Sequence, residues 1–137
     1  MVTVVVADDE ASIRVLLRTT LLGDGLSVVE AVDGEAALAA IRRHRPAVAI
    51  LDVMMPGLSG LEVCRAVRAD PDLVGTRVIV ISANASELEA HSAGADAFLS
   101  KPFLPSRMWG AVDALVERWE VGQVPVLSAP GDSTAGR

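Results

Sequence analysis

The chain has one cysteine, Cys64, and one lysine, Lys101, among 137 residues. A single cysteine excludes an intrachain disulfide and any cluster of thiolates around a metal. Its scarcity suits a reducing compartment, so the protein is expected to be cytoplasmic. No apolar run approaches the ~20 residues that a membrane-spanning helix needs. Residues 1–7 are apolar, but they lack a basic start and run straight into Asp8, which does not fit a signal peptide. The net charge is −6. That argues against a nucleic-acid surface, because phosphate backbones are held by clustered cations. A GxxxxGK(S/T) loop is missing, which argues against a P-loop nucleotide hydrolase. There is no internal repeat. His44 and His91 have no spaced partner that would make a metal site. Lysine is the most telling scarcity, since the other 11 of the 12 basic residues are Arg. The single ammonium points to a place that needs a compact charge rather than a planar fork.

What is present is half apolar, 51% by count, so the chain can bury a real core at this length. Short apolar runs alternate with helical patterns, the signature of an α/β domain with a parallel sheet. Strands are predicted at 3–7, 27–31, 47–51, 77–82 and 96–100. Ile13, Leu16, Leu17, Thr20 and Leu21 recur at helical spacing, and Gly23-Asp24-Gly25 closes that helix. Asp33 is placed to cap a second helix that runs to about His44 before Pro46. Ser59 with Glu62, and Ser86 with Glu89, have the form of capping boxes. The first opens a helix to about Ala69. The second opens a short one from Glu87 to Ala93, with Leu88 as its large apolar anchor. A last helix is predicted from Pro105 to Trp119. Five strands and five helices in strict alternation predict a doubly wound, five-stranded parallel sheet of order 2-1-3-4-5. The folded domain should span residues 1–120. Residues 121–137 are rich in Gly, Pro, Ser and Ala and read as a flexible tail or linker.

Ligands bind such sheets outside the carboxyl ends of the strands, at the switch between strands 1 and 3. Strand 1 ends at Asp8 and Asp9, and strand 3 ends at Asp52. Three converging carboxylates repel one another and call for a cation. An all-oxygen set selects a hard divalent ion, and Mg²⁺ is the usual one beside phosphate. Strand 4 ends at Ser82, and strand 5 ends just before Lys101. A hydroxyl, an ammonium and a metal together stabilise a phosphoryl group. One carboxylate can then act as nucleophile and form an aspartyl phosphate.

Four stretches now carry a resemblance. They are Val4-Val-Val-Ala-Asp-Asp-Glu10, Ile50-Leu-Asp-Val-Met-Met-Pro-Gly-Leu-Ser-Gly-Leu61, Ile81-Ser-Ala83 and Gly94-Ala-Asp-Ala-Phe-Leu-Ser-Lys-Pro-Phe103. From residue 2 to about 119 the chain resembles the receiver domain of two-component response regulators. The resemblance implies a flavodoxin-like receiver fold with Asp52 as phosphoacceptor. It implies Mg²⁺ held by Asp9 directly, by Asp8 mainly through water, by Asp52, and by the backbone carbonyl of Met54. Ser82 would be the switch hydroxyl, Ala83 the small residue beside the phosphoryl group, Lys101 its cationic partner and Phe98 the aromatic switch. Glu10 is read as structural.

The same resemblance implies a signalling domain rather than a metabolic enzyme, with only weak self-catalysed phosphorylation and dephosphorylation. The donor would be a sensor histidine kinase or a phosphotransfer protein. The competing reading is an aspartyl-phosphate phosphatase, which needs an acid–base carboxylate two residues after the nucleophile. Met54 stands there instead. A structural module that never gains phosphate would usually lack one of the acidic or Lys positions, and here all are kept. The chain is expected to be a stand-alone receiver, with a receiver joined to an effector domain as the alternative, and a monomer or weak dimer. Receivers that drive winged-helix DNA binding pair charges across strand 5 and the last helix, where this chain has Ala97 and Ala111. The Ser82-to-Lys101 interval is shorter than the family's usual spacing by nearly one helical turn. The fourth helix is therefore expected to be the most mobile regular element. Cys64 is expected in the core beside Leu61 and Val67, Met54 and Met55 as loop packing, and Trp109 and Trp119 as edge packing with Val112 and Val116.

Overall fold

The structure, a computed structural model, describes residues 2–23 and 25–123. In chain order the elements are β1 (Val2–Ala7), α1 (Ala11–Leu21), β2 (Leu26–Ala31), α2 (Gly34–His44), β3 (Val48–Asp52), α3 (Gly60–Ala69), a 3₁₀ turn (Pro71–Leu73), β4 (Arg77–Ser82), α4 (Glu87–Ser92), β5 (Ala97–Ser100) and α5 (Pro105–Gln123). The five strands are parallel and lie in the order β2-β1-β3-β4-β5, as the alternation of patterns predicts.

All five residues of β3 are buried, because helices cover both faces of a parallel sheet. The pleat divides them. Ala49 and Leu51 join one core with Leu38 and Ile41 of α2 and Val63, Cys64 and Val67 of α3. Val48 and Ile50 join the other, with Leu17 and Leu21 of α1 and Met108, Val112 and Leu115 of α5. Local chemistry starts the helices where the sequence indicates. Asp33 Oδ1 accepts the Ala36 N–H at 2.7 Å. Both capping boxes close, through Ser59 with Glu62 and Ser86 with Glu89.

The register brings the strand ends level. Ala7 stands beside Leu51, Asp52 beside Ile81, and Ser82 beside Ser100. The residues that follow the strands therefore share one rim. Gly60 tightens that rim. Its N–H donates to the Val53 carbonyl at 3.1 Å, and a Cβ there would collide with the carbonyl oxygen of Asp52. Only glycine lets α3 begin this close to the end of β3.

Some details depart from the sequence reading. Leu88 does not anchor α4, since it is 76% exposed. Ala90 and Ala93 are the buried positions there, because the six-residue helix turns its longest apolar side chain to solvent. Helix α5 continues past Trp119 to Gln123. Residues 124–137 of the expected tail, and Asp24 in the turn after α1, lie outside the described residues. Met55 is buried, but Met54 is exposed. Cys64 is fully buried, and burial pushes its thiol up to about 11, which makes it an inert packing group. Trp119 and Val116 pack partly buried against the α1/α5 core, whereas Trp109 is 39% exposed.

A six-residue helix held by two alanines has little to resist opening. In native-state hydrogen exchange, amides of residues 83–94 should exchange faster than those of β3. Equal protection in the two segments would refute this.

Candidate functional site

Asp8 leaves the end of β1 with its N–H on the Ala31 carbonyl at 3.2 Å. Its Oδ1 accepts the Glu10 N–H at 2.9 Å, which turns the carboxylate inward, and the residue is fully buried. Asp9, next in the chain, is exposed at the rim. Asp52 ends β3 and is 3% exposed. Oxygens of Asp8, Asp9 and Asp52 lie within 4.8 Å of one another.

Lys101 enters from β5, where its own N–H donates to the Ser82 carbonyl at 2.9 Å. Its Nζ stands 2.9 Å from Asp8 Oδ2, 3.3 Å from Asp52 Oδ1 and 3.4 Å from Glu10 Oε1. The lone ammonium of the chain thus sits among three carboxylates. A compact ammonium fits this central position, which a broad planar guanidinium would fill differently. Glu10, read from sequence as structural, proves to border the site. Its place directly after Asp8-Asp9 was the available signal.

The electrostatics follow from burial. Asp52 is pushed up to about 6, first by loss of water and then by the negative charge of Asp8, against the pull of Lys101 and the Met54 amide. Burial works against the Lys101 ammonium, but the carboxylates of Asp8 and Asp52 outweigh it and hold the group above its usual range.

Two observations bear on a metal. The donor set is all carboxylate oxygen, which suits a hard divalent cation. Asp8 Oδ2 is buried, and the group facing it is the Lys101 ammonium, 2.9 Å away as an ion pair. Lys101 supplies one positive charge against the three clustered carboxylates, which leaves the cluster net negative and suited to a further cation. The residues fit Mg²⁺.

A cavity of about 270 Å³ opens over the cluster, lined by Asp9, Glu10, Asp52, Met54, Ala83 and Lys101. Met54 and Ala83 therefore share the site with the acids. Ser82 is fully buried, but its Oγ is engaged elsewhere. It accepts the N–H groups of Asn84 at 3.0 Å and Ala85 at 2.9 Å. Phe98 lies apart from the acids. It is partly buried and lines a separate groove of about 340 Å³ with Glu87, Leu99, Phe103, Leu104 and Arg107. Because Ser82 closes its turn with two bonds, Ser82→Ala should lower stability by about 1–2 kcal/mol in a denaturant titration. No measurable loss would mean that water replaces the hydroxyl.

The family model of the response regulator receiver domain matches residues 4–113. The chain belongs to the response regulator receiver family. This receiver is 35% identical over 128 residues to the DNA-binding response regulator MtrA of Mycolicibacterium paratuberculosis, covering 91% of this chain and 56% of that protein. The chain spans about half the length of the curated relatives it matches. Among solved structures, the chemotaxis response regulator CheY4 of Vibrio cholerae aligns at TM-score 0.77 and 33% identity, over 84% of this chain and 98% of that one. The receiver domain of the Francisella response regulator 1452 aligns at TM-score 0.78 and 31% identity, over 86% and 98%. No helix among the described residues is long and apolar enough to cross a membrane.

Proposed function

We propose that this receiver is a conformational switch phosphorylated on Asp52, with Mg²⁺ in the pocket of Asp8, Asp9, Asp52 and the Met54 carbonyl. One observation carries the reading. A buried carboxylate ends the central strand, opens to a cavity, and has the only lysine ammonium of the chain 3.3 Å away. When bound, Mg²⁺ would neutralise the phosphoryl oxygens and lower the repulsion among the three acids.

The residues then divide the work. An Asp52 oxygen attacks phosphorus, and the bond from phosphorus to the donor nitrogen or oxygen breaks. The leaving group departs with the electron pair and takes up a proton. Lys101 exchanges its contact with the Asp52 carboxylate for a phosphoryl oxygen. The donor is a histidine kinase or phosphotransfer protein. Acyl phosphates serve in the weak self-catalysed reaction. For the switch, Ser82 must give up its bonds to Asn84 and Ala85 and turn toward the phosphoryl group, and Phe98 moves into the vacated space. That is a two-state population shift. A phosphatase reading is disfavoured because Met54, two residues past Asp52, supplies no carboxylate.

Output is a separate matter. MtrA is by its name DNA-binding, and this chain matches about half of it. Ala97 and Ala111 are partly buried against the α1/α5 core, so the charged pairs of winged-helix receivers are not available at these positions. We favour a cytoplasmic receiver that acts through another face, as monomer or weak dimer, on a protein or effector domain.

The test is direct. With acetyl phosphate and Mg²⁺, the protein should gain one phosphoryl group by intact mass, located in the peptide spanning 48–60. In EDTA it should gain none. A chain that stays unlabelled in Mg²⁺ with every donor would defeat the proposal.

A further inference from the structure

We propose that Arg14, braced by Glu30, is a positioning residue for the acidic pocket, a role that rests on the Mg²⁺ reading above. Arg14 lies on α1, one turn past Asp9. Its Nη1 donates to the backbone carbonyl of Asp8 at 2.9 Å. Its Nε donates to Glu30 Oε1 at 3.1 Å. The side chain is 17% exposed. One guanidinium thus ties the peptide between Asp8 and Asp9 to the neighbouring strand.

Glu30 is itself fixed. It stands beside Val6 in the β1–β2 ladder, and its other oxygen pairs with Arg18. Arg18 in turn donates to the Val28 carbonyl at 3.1 Å. Arg18 first, and Arg14 after it, hold the Glu30 carboxyl below the usual range. The brace therefore stays ionised at neutral pH.

The Asp8 peptide is where position matters. Its N–H is held by Ala31 and its side chain by the Glu10 N–H. Arg14 holds the third group, the carbonyl. Rotation of that peptide would swing Asp9 relative to Asp8, and metal affinity depends on such outer contacts. A lysine would have to serve both acceptors from one nitrogen, whereas Arg14 reaches them with two separate nitrogens of a rigid fork, Nε and Nη1.

Arg68 offers an internal comparison. It makes the same kind of fork, with Nε on the Gly94 carbonyl at 2.8 Å and Nη2 on Asp96 at 2.8 Å. It bonds to neither Asp8, Asp9 nor Asp52. Its loss should cost stability without touching the pocket.

The experiment measures Mg²⁺ affinity by calorimetry and unfolding in EDTA, on the full chain. Arg14→Met keeps the apolar stem and should weaken Mg²⁺ about 10-fold or more. Arg14→Lys should also weaken it, by several-fold, and Glu30→Gln less than Arg14→Met. Arg68→Met should lower the melting temperature and leave Mg²⁺ affinity within about twofold. If Arg14→Met does not fold, Arg14→Lys and Glu30→Gln decide the matter. Wild-type affinity in a folded Arg14 variant overturns the inference, as does an Arg68→Met loss of equal size. Asp9→Asn separates the two layers. If it too leaves Mg²⁺ binding intact, the metal reading fails. If it alone weakens binding, only the role of Arg14 fails.

Discussion

Asp52→Asn should take up no phosphoryl group, and in EDTA at pH 7 it should melt above the wild type. The first half follows from chemistry, since an amide is not a nucleophile at this step. The second follows from burial. The Asp52 carboxyl is pushed from its ordinary 3.8 to about 6 in the folded chain. The folded state therefore binds that proton more tightly than the unfolded state. The resulting penalty is absent below about pH 4, grows between pH 4 and 6, and is complete above 6. An amide has nothing to ionise and escapes it. The gain in EDTA at pH 7 should be on the order of 1–3 kcal/mol and should vanish toward pH 4. Mg²⁺ should reverse the order by stabilising the wild type. An Asn variant that labels stoichiometrically, or melts lower than wild type in EDTA at pH 7, would remove Asp52 from its assigned place.

Most of the fold was legible because it rests on patterns with a clear physical cause. The apolar run 47–51 has the pattern of a strand buried on both faces, found as β3 at Val48–Asp52, and Asp33, Ser59 and Ser86 announced three helix starts. The juxtaposition of Asp8, Asp9, Asp52 and Lys101 was legible for a similar reason. Strand ends in a doubly wound sheet meet at one rim, so residues far apart in sequence can be placed together from topology alone. What sequence missed depends on side-chain direction. Leu88 fits an apolar anchor by type, yet its position on a two-turn helix points it outward. Met54 and Met55 are the same residue type in adjacent places, and only the loop path decides that Met55 is buried. Arg14 was invisible because a helix-borne Arg near charged neighbours has no spacing signature. Its target is a backbone carbonyl, which every residue carries. Ser82 was placed correctly at the rim, but its two bonds to Asn84 and Ala85 could be seen only in three dimensions.

Those bonds matter for how the switch is poised. The hydroxyl is already satisfied in the present geometry, so its turn toward a phosphoryl group has a cost. Two bonds to backbone N–H groups are worth about 1–2 kcal/mol together. The phosphoryl group adds roughly two negative charges and three acceptor oxygens, enough to offset that loss. On the proposed switch reading, these two bonds would hold the equilibrium to one side until phosphate arrives.

The largest loss of stability is expected for Lys101→Met. Its ammonium stands within 3.4 Å of Asp8, Glu10 and Asp52, and Asp8 and Asp52 are 0% and 3% exposed. Methionine keeps the apolar stem, so packing is nearly preserved and the charge is what disappears. Two buried carboxylates would then face each other unpaired, and breaking such a cluster costs about 3–5 kcal/mol. The chain has one escape. The Asp52 carboxyl is already pushed up to about 6, and without the pull of Lys101 its pKa must rise further. The deficit should therefore be largest in EDTA at pH 7 and shrink at pH 5. Mg²⁺ should recover part of it, because a doubly charged ion can stand in for the ammonium between the acids. Adding Asp52→Asn to Lys101→Met should also shrink the loss, since one of the stranded charges is gone. Urea titrations of the single and double variants, with and without Mg²⁺ at both pH values, measure all of this. A deficit that ignores pH, metal and the second substitution would mean that Lys101 holds the rim by packing, and that its charge is not what the three acids require.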